Sequence, residues 1–368
     1  MEKRIGVVEG YSPVAGEWYP AIEYPYPKVY HEFVRDDIFE DMYPELVDVA
    51  SVEEMMNIIE NTKDGEEAYI KLTADIVDTE TIAIPAGKKV KLNLNGHKIS
   101  AAARTSDKHY YTIDNYGELT IMGTGLIEGR GIENFGIMFI KDGVEIDAID
   151  TNGGSAVWNG YDGEGMGTLT VDGGIFKTFH EGSTSDYTGP GCLNNWWGTT
   201  VINGGRFESV NKRTYAVISG DPEGSITVNN AYIKGVHGGL AIDAGAAVVN
   251  RGTFISTEYY GLYVSNDAHS AAGTGPADAD VLVVNGNFTG PKYSVLIGSD
   301  VHSPVDSIIK IKGGTYNKPL MVQNNVSEAA GIIYPEDKFD LTINSDGSKI
   351  LTPKEVDAVE ESTDEVTE

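Results

Sequence analysis

The chain has little of three things: cysteine, positive charge and long apolar runs. Its 368 residues include a single cysteine, Cys192, which excludes an intrachain disulfide framework. Lysine and arginine number 27 against 56 acidic residues, for a net charge of −29. This balance argues against nucleic acid and anionic membranes as partners, because both carry negative charge. No apolar run is long enough to cross a bilayer.

Targeting and metal-binding patterns are missing as well. The opening residues, Met1 to Gly6, are followed by no apolar signal core, so we expect a chain that folds in the cytoplasm where it is made. The seven histidines show no His-x-x-x-His pairing, and no EF-hand spacing is present. We therefore expect neither a metal nor a cofactor, and we expect the acidic loops around Asp162, Glu164 and Asp278 to be solvated.

What the chain does have is a recurring phrase: a few apolar or β-branched residues, then Asn or Asp or a substitute, then usually Gly. The phrase occurs at Leu94-Asn95-Gly96, Ile121-Met122-Gly123, Val171-Asp172-Gly173, Ile202-Asn203-Gly204, Val228-Asn229-Asn230, Val249-Asn250-Arg251, Val284-Asn285-Gly286 and Ile311-Lys312-Gly313. The apolar anchors that follow are Ile99, Ile127, Phe176, Phe207, Ile233, Phe254, Phe288 and Tyr316. Most steps fall in the range of roughly 20–35 residues, which is typical of one solenoid coil.

This repetition predicts an all-β fold, a right-handed parallel β-helix. Stacked coils place equivalent residues about 4.8 Å apart, so identical side chains form ladders. Asn and Asp suit the turn position because they tolerate left-handed backbone and bond to nearby backbone groups. The predicted ladder consists of Asn95, Asp172, Asn203, Asn229, Asn250 and Asn285. An antiparallel sandwich is the alternative, although a sandwich has no reason to repeat one turn at coil spacing.

The N-terminal 50 residues differ from the repeat. Between Gly10 and His31 four prolines alternate with aromatic residues, which predicts an extended arm without a core of its own. Such an arm packs either on the flank of its own solenoid or on a partner subunit, and interface chemistry favours the partner. The residues expected at this attachment interface are Tyr11, Trp18, Tyr19, Tyr24, Tyr26 and Tyr30.

The remaining boundaries follow from local patterns. The capping box Ser51-Val52-Glu53-Glu54 predicts a short helix that ends near Lys63–Gly65 and covers the open end of the solenoid. We thus divide the chain into an arm (1–50), a capping helix with the start of the coils (51–70), the β-helix (71–350) and an acidic flexible tail (351–368).

Two segments carry a family resemblance. The run from Ile82 to Ile99, which reads IPAGKKVKLNLNGHKI from Ile84 onward, resembles the opening coil of pectate-lyase-like β-helix proteins, and Gly167–Phe176 resembles their later coils. Within that superfamily, an aromatic arm without a signal peptide or a catalytic signature is most similar to bacteriophage virion proteins. The resemblance implies a non-enzymatic structural protein of the virion, a head fibre or capsid decoration, anchored to other virion proteins through its arm.

Two other functions compete with this one. A tail spike that binds or depolymerises host surface polysaccharide is the alternative, and a bacterial surface adhesin is the second alternative. Glycoside hydrolysis needs two carboxylates at one groove; Asp172, Asp221, Asp243 and Glu258 are the candidates, but Asp172 is accounted for by the ladder. The sequence signatures of polygalacturonases and pectate lyases are missing, so no catalytic residue is assigned.

Sugar binding without catalysis depends on exposed aromatic rings. The residues considered for sugar stacking are Trp158, Trp196, Trp197, Tyr259 and Tyr260. Adjacent residues on a strand point to opposite faces, so each aromatic pair would place one ring in the core and one outside. The competing interpretation is plain packing, or contact between neighbouring chains in a homo-oligomer such as a trimer.

Overall fold

The computed structural model describes residues 46–101, 111–149, 154–160, 165–178, 191–210, 212, 214–270 and 273–354. Over this part the chain is a parallel β-helix, as the repeat predicts, built from three long sheets that we call A, B and C. Each coil contributes a strand to A, then to B, then to C, and the next coil pairs with it in parallel. The six predicted attachment residues, from Tyr11 to Tyr30, lie outside the described residues.

Each sheet collects the equivalent strands of successive coils. Sheet A contains Val47–Val49, Glu67–Leu72, Lys89–Asn93, Glu118–Met122, Ile137–Ile140, Gly167–Val171, Gly198–Ile202, Ser225–Val228, Gly245–Val249, Ala279–Val283, Ile308–Ile311 and Gly331–Ile333. Sheet B contains Ile76–Thr79, Lys98–Ala101, Gly125–Gly129, Val144–Ala148, Ile175–Thr178, Arg206–Ser209, Tyr232–Gly235, Thr253–Ser256, Asn287–Thr289 and Thr315–Tyr316. Sheet C contains Ile82–Ile84, Ile113–Asn115, Ile132–Asn134, Val157–Asn159, Leu193–Asn195, Tyr215–Ser219, Gly238–Ile242, Tyr260–Val264, Tyr293–Ile297, Leu320–Val322, Phe339–Ile343 and Lys349–Pro353. A short hairpin, Asp267–Ser270 with Gly273–Pro276, extends from the chain between sheets C and A.

The core is a stack of equivalent apolar side chains, because every strand turns alternate residues inward. The apolar anchors of the repeat fall in one inward row of sheet B, which also includes Ile146. Phe176 and Phe207 stack at 4.4 Å between ring centroids, and Phe254 and Phe288 stack at 4.8 Å. This row shows why the anchors recur: each one packs on its equivalent in the next coil.

The two ends of the core are covered differently. A helix, Val52–Asn61, lies over the first coils and buries Met55 and Ile59. It begins as the capping box predicts, since the Ser51 Oγ accepts from the backbone N–H of Glu54 at 3.2 Å. It ends at Asn61, before the predicted Lys63–Gly65. The strand Val47–Val49 precedes it and pairs with the first full coil, so the β-helix already begins within residues assigned to the arm.

At the other end the parallel pattern gives way to an antiparallel pair. Lys349–Pro353 pairs antiparallel with both Leu320–Val322 and Phe339–Ile343, and Leu351 is buried. The β-helix therefore extends into residues that the sequence assigned to the tail. The described chain begins at one end of the solenoid and leaves at the opposite end. No helix in the described ranges has the length and apolarity needed to span a membrane.

The Asx ladder exists, but its two outer members were predicted wrongly. In the turns from sheet A to sheet B, the amides of Asn203, Asn229 and Asn250 each donate to the preceding member, at 2.7, 2.7 and 2.8 Å, in a row that starts at Asp172. Backbone pairing places Val284, not Asn285, next in the row. At the other end, the residue that strand pairing places in this row is Asn93. Asn95 lies two residues further along the chain, and its amide donates to the Leu72 carbonyl at 2.8 Å.

A second, fully buried ladder lies in the turns from sheet C to sheet A, and the sequence interpretation missed it. Its members are Asn115, Asn134, Asn159 and Asn195, each with no exposed surface. Each amide donates to the side chain of the next coil, at 2.7, 2.7 and 2.8 Å, and the last donates to Ser219 at 3.0 Å. Each amide also donates to a backbone carbonyl in sheet A. The accepting strand is the one after the next sheet A strand along the chain, so each Asn side chain also links two coils through the backbone. Interior polar groups are stable only when paired in this way.

Candidate functional site

The outer face of sheet C carries a row of polar and aromatic side chains in four consecutive coils. Strand register aligns Asp114 with Glu133, Glu133 with Trp158, and Trp158 with Asn194. The residues on either side of each point inward, so these four point away from the core. Asp114, Glu133 and Trp158 are half-buried, whereas Asn194 is covered and donates to the Ser155 hydroxyl at 3.0 Å.

An arginine and a tyrosine flank the two carboxylates. The Arg130 guanidinium lies 4.6 Å from the centre of the Tyr111 ring, a cation–π geometry. Burial raises the pKa of the Tyr111 hydroxyl, with a smaller contribution from the negative charge of Glu133. The tyrosine is therefore protonated at all ordinary pH values, and its hydroxyl interacts with both Arg130 and Glu133. This cluster holds a proton donor, a fixed cation and two carboxylates beside one another.

Two of the predicted sugar-stacking tryptophans meet at this row. The Trp158 and Trp196 rings are 5.0 Å apart between centroids and tilted by 45°. Trp196 and Trp197 both lie in the turn between sheets C and A and are half-buried. The expectation that this pair places one ring in the core is wrong, because a turn lacks the alternation of a strand.

The other predicted pair, Tyr259 and Tyr260, lies elsewhere on sheet C, four strands from Trp158. Both are half-buried, and neither ring enters the core. They belong to an aromatic group whose members are Tyr215, His237, Tyr259, Tyr260, Tyr263 and Tyr293. Several rings are nearly parallel, such as Tyr215 and Tyr263 at 5.4 Å and 9°. Rings that stack on each other turn their faces to one another, so this group favours packing over sugar stacking.

The four carboxylates considered for hydrolysis lie in three different sets of turns. Asp172 bonds with Asn203 and Lys141 in the turn from sheet A to sheet B. Asp221 and Asp243 follow successive strands of sheet C, and Glu258 follows a strand of sheet B. In the described part of the chain, no group of three or more His, Cys, Asp or Glu side chains is arranged to hold a metal ion.

Asp243 makes stability depend on pH. Burial raises the pKa of its carboxyl to about 7, and its Oδ1 accepts from the Ser265 hydroxyl at 2.9 Å. An unfolded aspartate titrates near pH 4. The folded chain therefore binds more protons between about pH 4 and 7, and the free energy of unfolding falls as pH rises through this window.

We expect Asp243→Asn to stabilise the protein at pH 8 by about 2 kcal/mol and to change little at pH 4. Asparagine keeps the acceptor for Ser265 and removes the charge. Urea unfolding at pH 4, 6 and 8 measures the effect, with the exposed Asp337→Asn as the matched control. Equal stability of Asp243→Asn and the unaltered protein at pH 8 would contradict it.

The row on sheet C had a signal in the sequence. Two five-residue segments share the order apolar, acidic, Asn, aromatic, Gly: Ile113–Gly117 and Ile132–Gly136. Their third residues belong to the buried ladder and their second residues form the carboxylate pair. Trp158 and Asn194 occupy the second position in the next two coils. The sequence interpretation followed the Asx-Gly phrase of the other turn and passed over this one.

Comparison of the chain with known protein families, with curated proteins and with solved structures finds no significant match.

Proposed function

We propose that this chain is a non-enzymatic structural protein of a bacteriophage particle, a head fibre or capsid decoration, that projects as a rod from the surface to which its N-terminal arm attaches. The observation that carries the proposal is the polarity of the solenoid. The described chain begins at the end covered by the helix Val52–Asn61 and leaves at the opposite end. An arm bound to a particle through residues 1–45 holds the first coils near the surface and directs the last coils outward.

The dimensions and bonding suit such a role. Sheet A contains twelve strands, which at about 4.8 Å a step give a rod of roughly 50 Å. Successive coils are joined by parallel backbone ladders along all three sheets, so the backbone groups that proteases need are engaged. The net charge of −29 keeps neighbouring copies soluble and apart.

Removal of residues 1–45 is expected to leave a folded, soluble rod that no longer joins particles. The cut spares the strand Val47–Val49, which pairs with the first full coil, so the far-ultraviolet circular dichroism spectrum and the urea midpoint should change little. Incorporation is measured by mass spectrometry of purified particles assembled with the truncated chain.

The matched control removes residues 355–368 at the other end, which should not affect incorporation. A chain that lacks residues 1–45 and still joins particles at the normal copy number would overturn the attachment role. Release of reducing ends or unsaturated uronates from host wall polysaccharide would overturn the non-enzymatic role.

Imaging of a label on residues 355–368 separates the sites on a particle. Label spread over the head supports a fibre or decoration, and label confined to the tail tip supports a spike that contacts host polysaccharide. Particles without any label would favour a bacterial surface adhesin.

A further inference from the structure

We propose that the outer face of sheet C between the strands Ile113–Asn115 and Leu193–Asn195 binds an uncharged saccharide chain. The hydroxyl groups of the saccharide would donate to the carboxylates of Asp114 and Glu133, and the apolar face of one sugar ring would pack on Trp158. Such binding does not depend on where, or whether, the rod is mounted on a particle.

The geometry of the row suits a linear ligand. Asp114, Glu133 and Trp158 lie in register on three neighbouring strands, so their side chains succeed one another along the rod axis at about 4.8 Å a step. A linear polymer laid along that axis meets two hydrogen-bond acceptors and then an indole. All three side chains are half-buried, so each combines a fixed position with accessible surface.

The row also has an energetic cost. Like charges directly opposite each other on neighbouring strands are destabilising. Between other coils some charges that lie directly opposite each other have opposite signs, as in Lys89 with Glu118 at 3.4 Å, whereas Asp147 and Glu128 are a like pair in register. Asp114 and Glu133 are a second like pair in register, and the Arg130 guanidinium lies in the same cluster. Ligand-binding sites commonly keep destabilising arrangements of this kind, because a residue that suits the ligand is not always the one that stabilises the fold best.

The chemical class of the ligand follows from the groups that the row presents. Carboxylates, a tyrosine hydroxyl and an arginine satisfy the hydroxyl groups of sugars, and a flat indole suits the apolar face of a sugar ring. Among the described residues of this row, two carboxylates lie beside one guanidinium, on a chain whose net charge is −29. An anionic polysaccharide is repelled by that field, whereas an uncharged one is not.

The test is isothermal titration calorimetry on the full chain with chitotetraose, maltohexaose and mannohexaose, and with oligogalacturonate as the anionic comparator. We expect at least one neutral oligosaccharide to bind. Trp158→Ala, Glu133→Gln and Asp114→Asn should each weaken that binding by about tenfold, the loss of one good contact. The two isosteric variants keep the side-chain volume, so they test the charges without opening a cavity.

Tyr263→Ala is the matched control, because register aligns Tyr263 with the same outer row three strands beyond Asn194. It should leave affinity unchanged. The proposal is overturned if no neutral oligosaccharide binds, if binding survives all three substitutions, or if oligogalacturonate binds as well as the neutral sugars. Particle incorporation of the same variants should be normal, which separates failure of this site from failure of the structural role.

Discussion

Asn159→Asp is expected to lower the free energy of unfolding by about 3–5 kcal/mol at pH 8, which is a large fraction of a typical protein's stability. Asn159 has no exposed surface; its Oδ1 accepts from Asn134 at 2.7 Å and its amide donates to Asn195 at 2.8 Å. Aspartate removes the donor and buries a charge among amide, carbonyl and hydroxyl groups. The urea midpoint and slope measure the loss.

The pH dependence and a surface variant provide the controls. At pH 4.5 the loss should be smaller, since a protonated aspartic acid carries no charge. Asn229→Asp makes the same change in the Asx ladder between sheets A and B, where Asn229 is partly exposed. It should lower the free energy of unfolding by less than about 1 kcal/mol. Equal losses of unfolding free energy for the two variants would show that burial does not determine how much the fully buried ladder stabilises the fold.

Phe288→Ala is expected to cost about 3–5 kcal/mol. The Phe288 side chain is buried and stacks on Phe254 at 4.8 Å and on Tyr316 at 5.3 Å, so its removal leaves a cavity and interrupts two ring contacts. Because each coil contacts mainly its neighbours, the damage should be concentrated in the coils around the substitution. Hydrogen exchange of the variant and the unaltered protein, followed by mass spectrometry, measures this. The substitution should increase the exchange rate more in the strands Thr253–Ser256, Asn287–Thr289 and Thr315–Tyr316 than in the strand Glu118–Met122.

Phe288→Leu retains most of the volume and should cost less than about 1.5 kcal/mol. Tyr232→Ala removes a ring on the outer face of the same sheet, where Arg206 lies 4.2 Å from it, and should also cost little. A uniform rise in exchange along the whole rod after Phe288→Ala would contradict the local character of the coils.

The sequence alone determined the architecture. A solenoid repeats one short environment, so the anchors from Ile99 to Tyr316 could be recognised by spacing, and all of them fall in one inward row of sheet B. The capping box at Ser51 was equally local. The Glu54 N–H donates to the Ser51 hydroxyl and the Ala50 N–H donates to the Glu54 carboxylate, so its hydrogen bonds join residues four apart or fewer. Such features depend on neighbours along the chain, which a single sequence displays.

Only the tertiary structure decided which residues meet. The outer row of sheet C is an example, because chain segments of very different length separate its members, Asp114, Glu133, Trp158 and Asn194. Strand pairing alone makes them neighbours. The same uncertainty in register put Asn95 and Asn285 in the wrong row and left the buried ladder at Asn159 unseen. A shift of one residue along a strand moves a side chain from the core to the surface. The sequence therefore specified the coil, whereas the stacking of coils created the surface on which a ligand would bind.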